Sequence, residues 1–228
     1  MSDKKILISG CGISWSGQER KTWVNILKLT GLTVVDVGGP AVSNQWILNS
    51  TVEYILSNPV DYVIVQLSSI GKLDVEINTD ERQQELVNKD SLRNFTVNGI
   101  WPSSVSVDHI SKQHWQQWLL SPRLELQDIE VKLRLLKFYC DSKDIPLLVL
   151  KGYELPTNAL DDIIYNPICL QDDYVNSSNY VYHDTSKQNT VPCLEFQFEI
   201  AKLVDHALAL GVTDRLEKIL QQHWQKKN

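Results

Sequence analysis

The 228 residues carry 22 Lys and Arg against 28 Asp and Glu, a formal net charge of −6 with no basic cluster, so a surface that tracks nucleic-acid phosphates is not expected. No apolar run approaches the roughly 20 residues that cross a bilayer, and the basic start lacks the apolar core of a signal peptide; a cytoplasmic protein with no membrane partner is the expectation. Cys11, Cys140, Cys169 and Cys193 are far apart with no CxxC pair, which predicts free thiols rather than a zinc site or a disulfide framework.

The length suits one α/β domain covering residues 1–228. Ile6-Leu7-Ile8 reads as a buried strand that empties into ISGCGISWSG, a turn rich in Gly and Ser. Glu19 to Leu29 follows as a helix with Trp23, Ile26 and Leu27 on one face and Gly31 as its stop. Leu32 to Val37 is a second strand, closed by the turn Gly38-Gly39-Pro40. Leu48, Val52 and Ile55 fall at helical spacing until Asn58-Pro59, and Asp61 to Leu67 (DYVIVQL) is the clearest strand in the chain.

From Ser68 to about Pro122 the periodicity weakens, which predicts an inserted segment over about 71–122 that covers one end of the sheet. Leu126, Ile129, Leu133, Leu136 and Cys140 then share one face of a long helix, and Ile145 to Leu150 is a fourth strand. A fifth strand is expected near Tyr180 to Tyr182. Leu194, Phe198, Ala201, Val204 and Leu208 mark a late helix, and Thr213 is expected to cap a last one that runs to about Trp224.

Strands alternating with helices imply a mostly parallel sheet between two helix layers. Ligands of such sheets bind beyond the carboxyl ends of the strands, which directs attention to the loops Gly10 to Gly17, Gly38 to Asn44 and Ser68 to Lys72. A phosphate cradle at the first loop is disfavoured. The dinucleotide fingerprint counted from Gly10 needs its third glycine where Trp15 stands, and the Walker pattern lacks its Gly-Lys pair; no cofactor is expected.

Taken together, the three loops resemble those of the SGNH (GDSL-type) hydrolases, a family of esterases and carbohydrate deacetylases on a three-layer, flavodoxin-like parallel sheet. ISGCGISWSG stands where that family carries a strand followed by Gly-Asp-Ser, or by Gly-Cys-Ser in a branch often found in phage genomes. VGGPAVSNQWI resembles the second block, whose glycine amide helps form the oxyanion hole. DYVIVQLSSIG resembles the strand that leads to the third block and its asparagine, and VPCLEFQFEIAK the His-Pro segment that opens the final helix.

The resemblance also exposes departures. Gly12 falls where the nucleophilic serine belongs, Val191 where the base belongs, Gln188 where the aspartate belongs, and Ile70 or Gly71 at the oxyanion-hole asparagine. An acyl-transfer site needs a nucleophile, a base and a group that orients the base, and on this alignment all three are replaced. Displaced chemistry would use Ser14 or Ser16 as nucleophile with His183 and Asp184, and Asp172 or Asp173 as orienter; the alternative for both serines is helix capping and loop hydrogen bonding.

The expected ligand-lining residues are Gly10 and Gly12 of the first loop, Gly39 and Asn44 of the second, and Ser68 and Ser69 of the third. An Asn at position 44 offers a donor and an acceptor, to a ligand or to its own turn. His109 and His114, with Asp108, lack the spacing of a helical metal pair, so no metal is expected. Trp101, Trp115 and Trp118 suit stacking on a sugar or packing of the insertion. The resemblance thus implies a pocket for a small acylated, carbohydrate-like ligand without standard triad catalysis. The alternatives are an active serine esterase or deacetylase, and a non-enzymatic protein of an assembly such as a virion. Oligomeric state is left open.

Overall fold

The computed structural model describes residues 4–11, 22–39, 42–70, 122–152, 160–164, 181–182, 191–192 and 194–225. Four strands form one parallel sheet: β1 (Lys5–Ser9), β2 (Thr33–Asp36), β3 (Tyr62–Leu67) and β4 (Leu147–Lys151), in the order β2-β1-β3-β4. The register pairs Ile8 with both Asp36 and Ile64, and Gln66 with Leu150, so the four carboxyl ends finish side by side.

The apolar runs of β1, β3 and β4 have no polar face because both sides of a parallel sheet are covered. Alternate residues divide between two cores. Ile6, Ile8, Ile64, Leu148 and Leu150 pack with α1 (Trp23–Leu29) and with the late helices α4 (Leu194–Leu208) and α5 (Thr213–Gln225). Leu7, Val63, Val65, Leu67 and Val149 face the opposite layer, made by α2 (Asn44–Ser57) and α3 (Pro122–Ser142). The α/β, three-layer parallel architecture expected from the sequence is the one observed.

Local signals explain the boundaries. Gly31, at φ +84°, takes the left-handed conformation that ends α1. Ser43 caps α2, its hydroxyl accepting from the Trp46 amide at 3.0 Å, and Asn58 turns extended ahead of Pro59. On α3 the periodic residues Ile129, Leu133, Leu136 and Cys140 are all buried. The short segment 160–164 is tied to α3 by the Arg134 to Asp162 pair at 2.9 Å, and that guanidinium holds the Asp162 carboxyl below its ordinary range.

The fifth strand expected near Tyr180 to Tyr182 is present as Val181–Tyr182 (β5), which pairs antiparallel with Val191–Pro192 (β6) in a separate two-stranded sheet. One expectation needs correction. Thr213 is the first residue of α5 rather than its cap. The buried Asp205 of α4 takes the Val212 amide at 3.0 Å on one carboxylate oxygen and the Thr213 hydroxyl on the other, so this hydroxyl is committed to α4 rather than to the first turn of α5. Residues 71–121, the body of the expected insertion, lie outside the described residues.

Candidate functional site

At the carboxyl end of β1 the chain is braced from both sides. Ser9 is fully buried, and its hydroxyl donates to the Ile47 carbonyl of α2 at 3.1 Å, with the Ser50 hydroxyl 3.3 Å away. One residue on, the Gly10 carbonyl accepts from the Gly39 amide at 3.0 Å, which joins the exits of β1 and β2. The Gly38 amide is held by the Asp36 carboxylate at 2.9 Å. A Cβ at Gly38 would lie 2.7 Å from the Gly10 carbonyl oxygen, so only glycine permits this approach of two backbones.

The exit of β3 is fixed by α2. Asn44, fully buried in the first turn of that helix, accepts from the Ser68 amide at 2.6 Å and donates to the Ser68 carbonyl at 3.0 Å, with the Ser69 carbonyl at 3.4 Å. Both ends of its carboxamide are thus committed to the backbone of another loop, 24 and 25 positions away, rather than to its own turn. Ser68 is fully buried, and the Ser69 hydroxyl is buried with no hydrogen-bond partner among the described residues.

Beneath these loops the fully buried Gln66 of β3 places Nε2 3.3 Å from Cys11 Sγ, while its Oε1 has no hydrogen-bond partner among the described residues. Gly152, just past β4, closes against this amide: a Cβ there would sit 2.1 Å from Gln66 Nε2 and 2.4 Å from the Leu67 carbonyl oxygen. On the other face, Gln197 of α4 offers its side-chain carbonyl to the Trp23 amide at 2.6 Å, and so caps α1, where Thr22 makes no side-chain cap.

Of the residues singled out in the sequence, Gly10, Gly39, Asn44, Ser68 and Ser69 are brought together at the carboxyl ends of β1, β2 and β3. Gly12, Ser14, Ser16, His183 and Asp184 lie outside the described residues, as do Gln188, Asp172, Asp173, His109, His114 and the three insertion tryptophans. Among the described residues no group of three or more His, Cys, Asp or Glu is placed to hold a metal. Gln66, Gln197 and Gly152 were not picked out from the sequence. The signal for Gln66 was a polar residue within the apolar run YVIVQL. A groove of about 360 Å³ between α2 and α3, lined by Leu48, Val52, Leu56, Lys132, Leu135 and Tyr139 among others, lies on the helix layer and not at the strand ends.

These features define a class: an α/β domain whose parallel β2-β1-β3-β4 sheet gathers three loops at one end. Its fold is that of the SGNH/GDSL-type hydrolases. The structure matches that of TesA at a TM-score of 0.50 and 12% identity, over 90% of this chain and 98% of that one. It matches the psychrotrophic esterase EstA from Pseudoalteromonas sp., solved in a form inhibited by monoethylphosphonate, also at 0.50 and 12%, over 92% of this chain and 99% of that one. No protein-family model and no curated sequence matches the chain.

Proposed function

We propose that this protein uses the SGNH-hydrolase fold as a binding scaffold: it keeps the site of an ester or carbohydrate deacylase for a small, neutral ligand and does not run serine-histidine catalysis. The observation that carries this reading is the direction of the backbone donors. An oxyanion hole needs preorganised N–H groups aimed at the place where charge develops. Here the amides of Gly38, Gly39 and Ser68 are all spent inward, on Asp36, the Gly10 carbonyl and Asn44. The sequence points the same way, with Gly12 at the nucleophile position and Val191 at the base.

The test is direct. The full-length protein is treated with a fluorophosphonate probe and assayed with p-nitrophenyl acetate. No labelling and no turnover above buffer is the expected result. Labelling that disappears in Ser14→Ala or Ser16→Ala would overturn the proposal in favour of a working serine hydrolase with a displaced nucleophile. Co-purification with a particle protein, with no small molecule shifting the Tm, would favour an assembly role.

A further inference from the structure

The long helix α3 carries two apolar faces. Ile129, Leu133, Leu136 and Cys140 are buried in the core beneath it. Half a turn round the helix, Leu124, Val131 and Phe138 stand 64, 57 and 74% exposed, and exposed Leu135 leads from them to the groove beside Leu56 of α2. At 3.6 residues per turn a spacing of seven keeps these three within about 40° of one another, so they form one stripe along the helix. A helix on the surface of a domain needs one apolar face, and a second contiguous one marks a contact surface.

The order of residues along α3 names the partner. The stripe is symmetric about Val131, with Leu124 seven positions before it and Phe138 seven after. A second copy of the helix, laid antiparallel about a twofold axis at Val131, sets Val131 on Val131 and Leu124 against Phe138. The charges beside the stripe obey the same symmetry. One flank carries Asp128 and Lys132, and the other carries Arg123, Glu130, Arg134 and Asp141. In a twofold antiparallel pair each flank meets its own counterpart. Asp128 then lies level with Lys132 of the other copy, Glu130 with Arg134 and Arg123 with Asp141, each to within about 3 Å along the axis at 1.5 Å per residue. All three pairings join opposite charges, whereas a parallel copy would bring Asp128 to Glu130 and Lys132 to Arg134. Within one copy Asp128 already holds Lys132 at 2.8 Å and Glu130 holds Arg134 at 3.0 Å; such exposed pairs contribute little and re-pair at small cost.

We infer that the outer face of α3 is the interface of a twofold-symmetric homodimer, in which two α3 helices pack antiparallel about Val131. One self-complementary patch is what such a dimer requires. The 21-residue helix is about 30 Å long, and with the flank of α2 beside it offers roughly 600 Å² per copy, the low end of specific interfaces. The dimer is therefore weak and concentration-dependent, with Kd on the order of 10–100 µM. Its face lies on the helix layer, away from the strand ends, so it holds whether the loops there bind or catalyse.

Sedimentation velocity of the full-length protein over about 1–500 µM tests this, and the expected result is a reversible shift from the 26.1 kDa monomer to a dimer. Val131→Lys places two ammonium groups on the axis and should weaken the dimer at least tenfold, while its Tm stays within about 4 °C of the wild type because the position is exposed. Asp128→Lys alone should weaken it as well, and Asp128→Lys with Lys132→Asp should restore it. A dimer indifferent to Val131→Lys, or a double reversal that stays monomeric, overturns the inference. So does a wild type that is monomeric throughout, and a large fall in Tm of Val131→Lys would then point to cover by the chain's own residues 71–121. Should Val131→Lys fail to fold, Phe138→Ser takes its place with the same expectation.

Discussion

Replacing Asn44 by Ala tests whether one side chain holds the third loop in place. In the wild type the Asn44 carboxamide satisfies both the amide and the carbonyl of Ser68, at 2.6 and 3.0 Å, and both residues are fully buried. Alanine takes the Asn44 partner from two buried backbone groups, at a cost of about 1–3 kcal/mol each. Its better helix propensity at the start of α2 returns only a few tenths of a kcal/mol. A loss of about 3–4 kcal/mol follows, which for a chain of this length is a fall in Tm of roughly 6–16 °C at about 2–4 °C per kcal/mol. Asn44→Asp keeps the acceptor for Ser68 N–H but sets a carboxylate against the Ser68 carbonyl, and should cost at least as much. Equilibrium urea unfolding with unchanged slope is the assay. A loss below about 1 kcal/mol for Asn44→Ala, with the fold intact, would refute the claim that this amide fixes the loop.

Three further outcomes are expected. Gly38→Ala should cost more than Gly39→Ala, about 2–3 against about 1 kcal/mol, because the new Cβ meets the Gly10 backbone oxygen at 2.7 Å in one case and the movable Val42 side chain at 2.8 Å in the other; paired denaturation curves would show it. Asp205→Ala should lose about 2–3 kcal/mol by stripping the Val212 amide and the Thr213 hydroxyl of their acceptor, whereas Asp205→Asn, which keeps one acceptor oxygen, should lose about 1 kcal/mol. Burial pushes the Cys140 thiol up from 9.0 to about 11, with nearby Asp141 adding to the rise. The folded state then holds that proton while the unfolded chain gives it up, so stability is intact below pH 9 and falls as pH rises from 9 to about 11. The slope approaches about 1.4 kcal/mol per pH unit, and Cys140→Ala should remove that component from the pH profile of urea midpoints.

Much of the architecture was legible because it is written locally. Ile6-Leu7-Ile8, DYVIVQL and IPLLVL are unbroken apolar runs between turn residues, and Ile129, Leu133, Leu136 and Cys140 fall on one face of a helix, so period and length separate strand from helix without reference to the rest of the chain. What escaped is long-range. The Gln66 to Cys11 contact spans 55 positions and the Gln197 to Trp23 cap spans 174, and nothing in either sequence neighbourhood names the partner. The same holds for Thr213: a Thr ahead of a helical pattern reads as a cap, and only the packing of α4 against α5 shows that Asp205, eight positions earlier, takes its hydroxyl. For Asn44 the sequence offered two uses of one carboxamide, and the geometry commits both of its ends to the Ser68 and Ser69 backbone.

The candidate site can be weighed on the same terms. Its three loops are held by bonds that run inward, Ser9 to α2, Gly39 to Gly10 and Asn44 to Ser68, and each bond fixes a strand end whether or not any chemistry takes place there. A deacylase makes two demands of such loops: rigidity, and donors or nucleophiles left pointing at the substrate. On the proposed reading, the amides of Gly39 and Ser68 serve the first demand. A scaffold that binds a neutral ligand has no developing negative charge to stabilise, so inward amides cost it nothing.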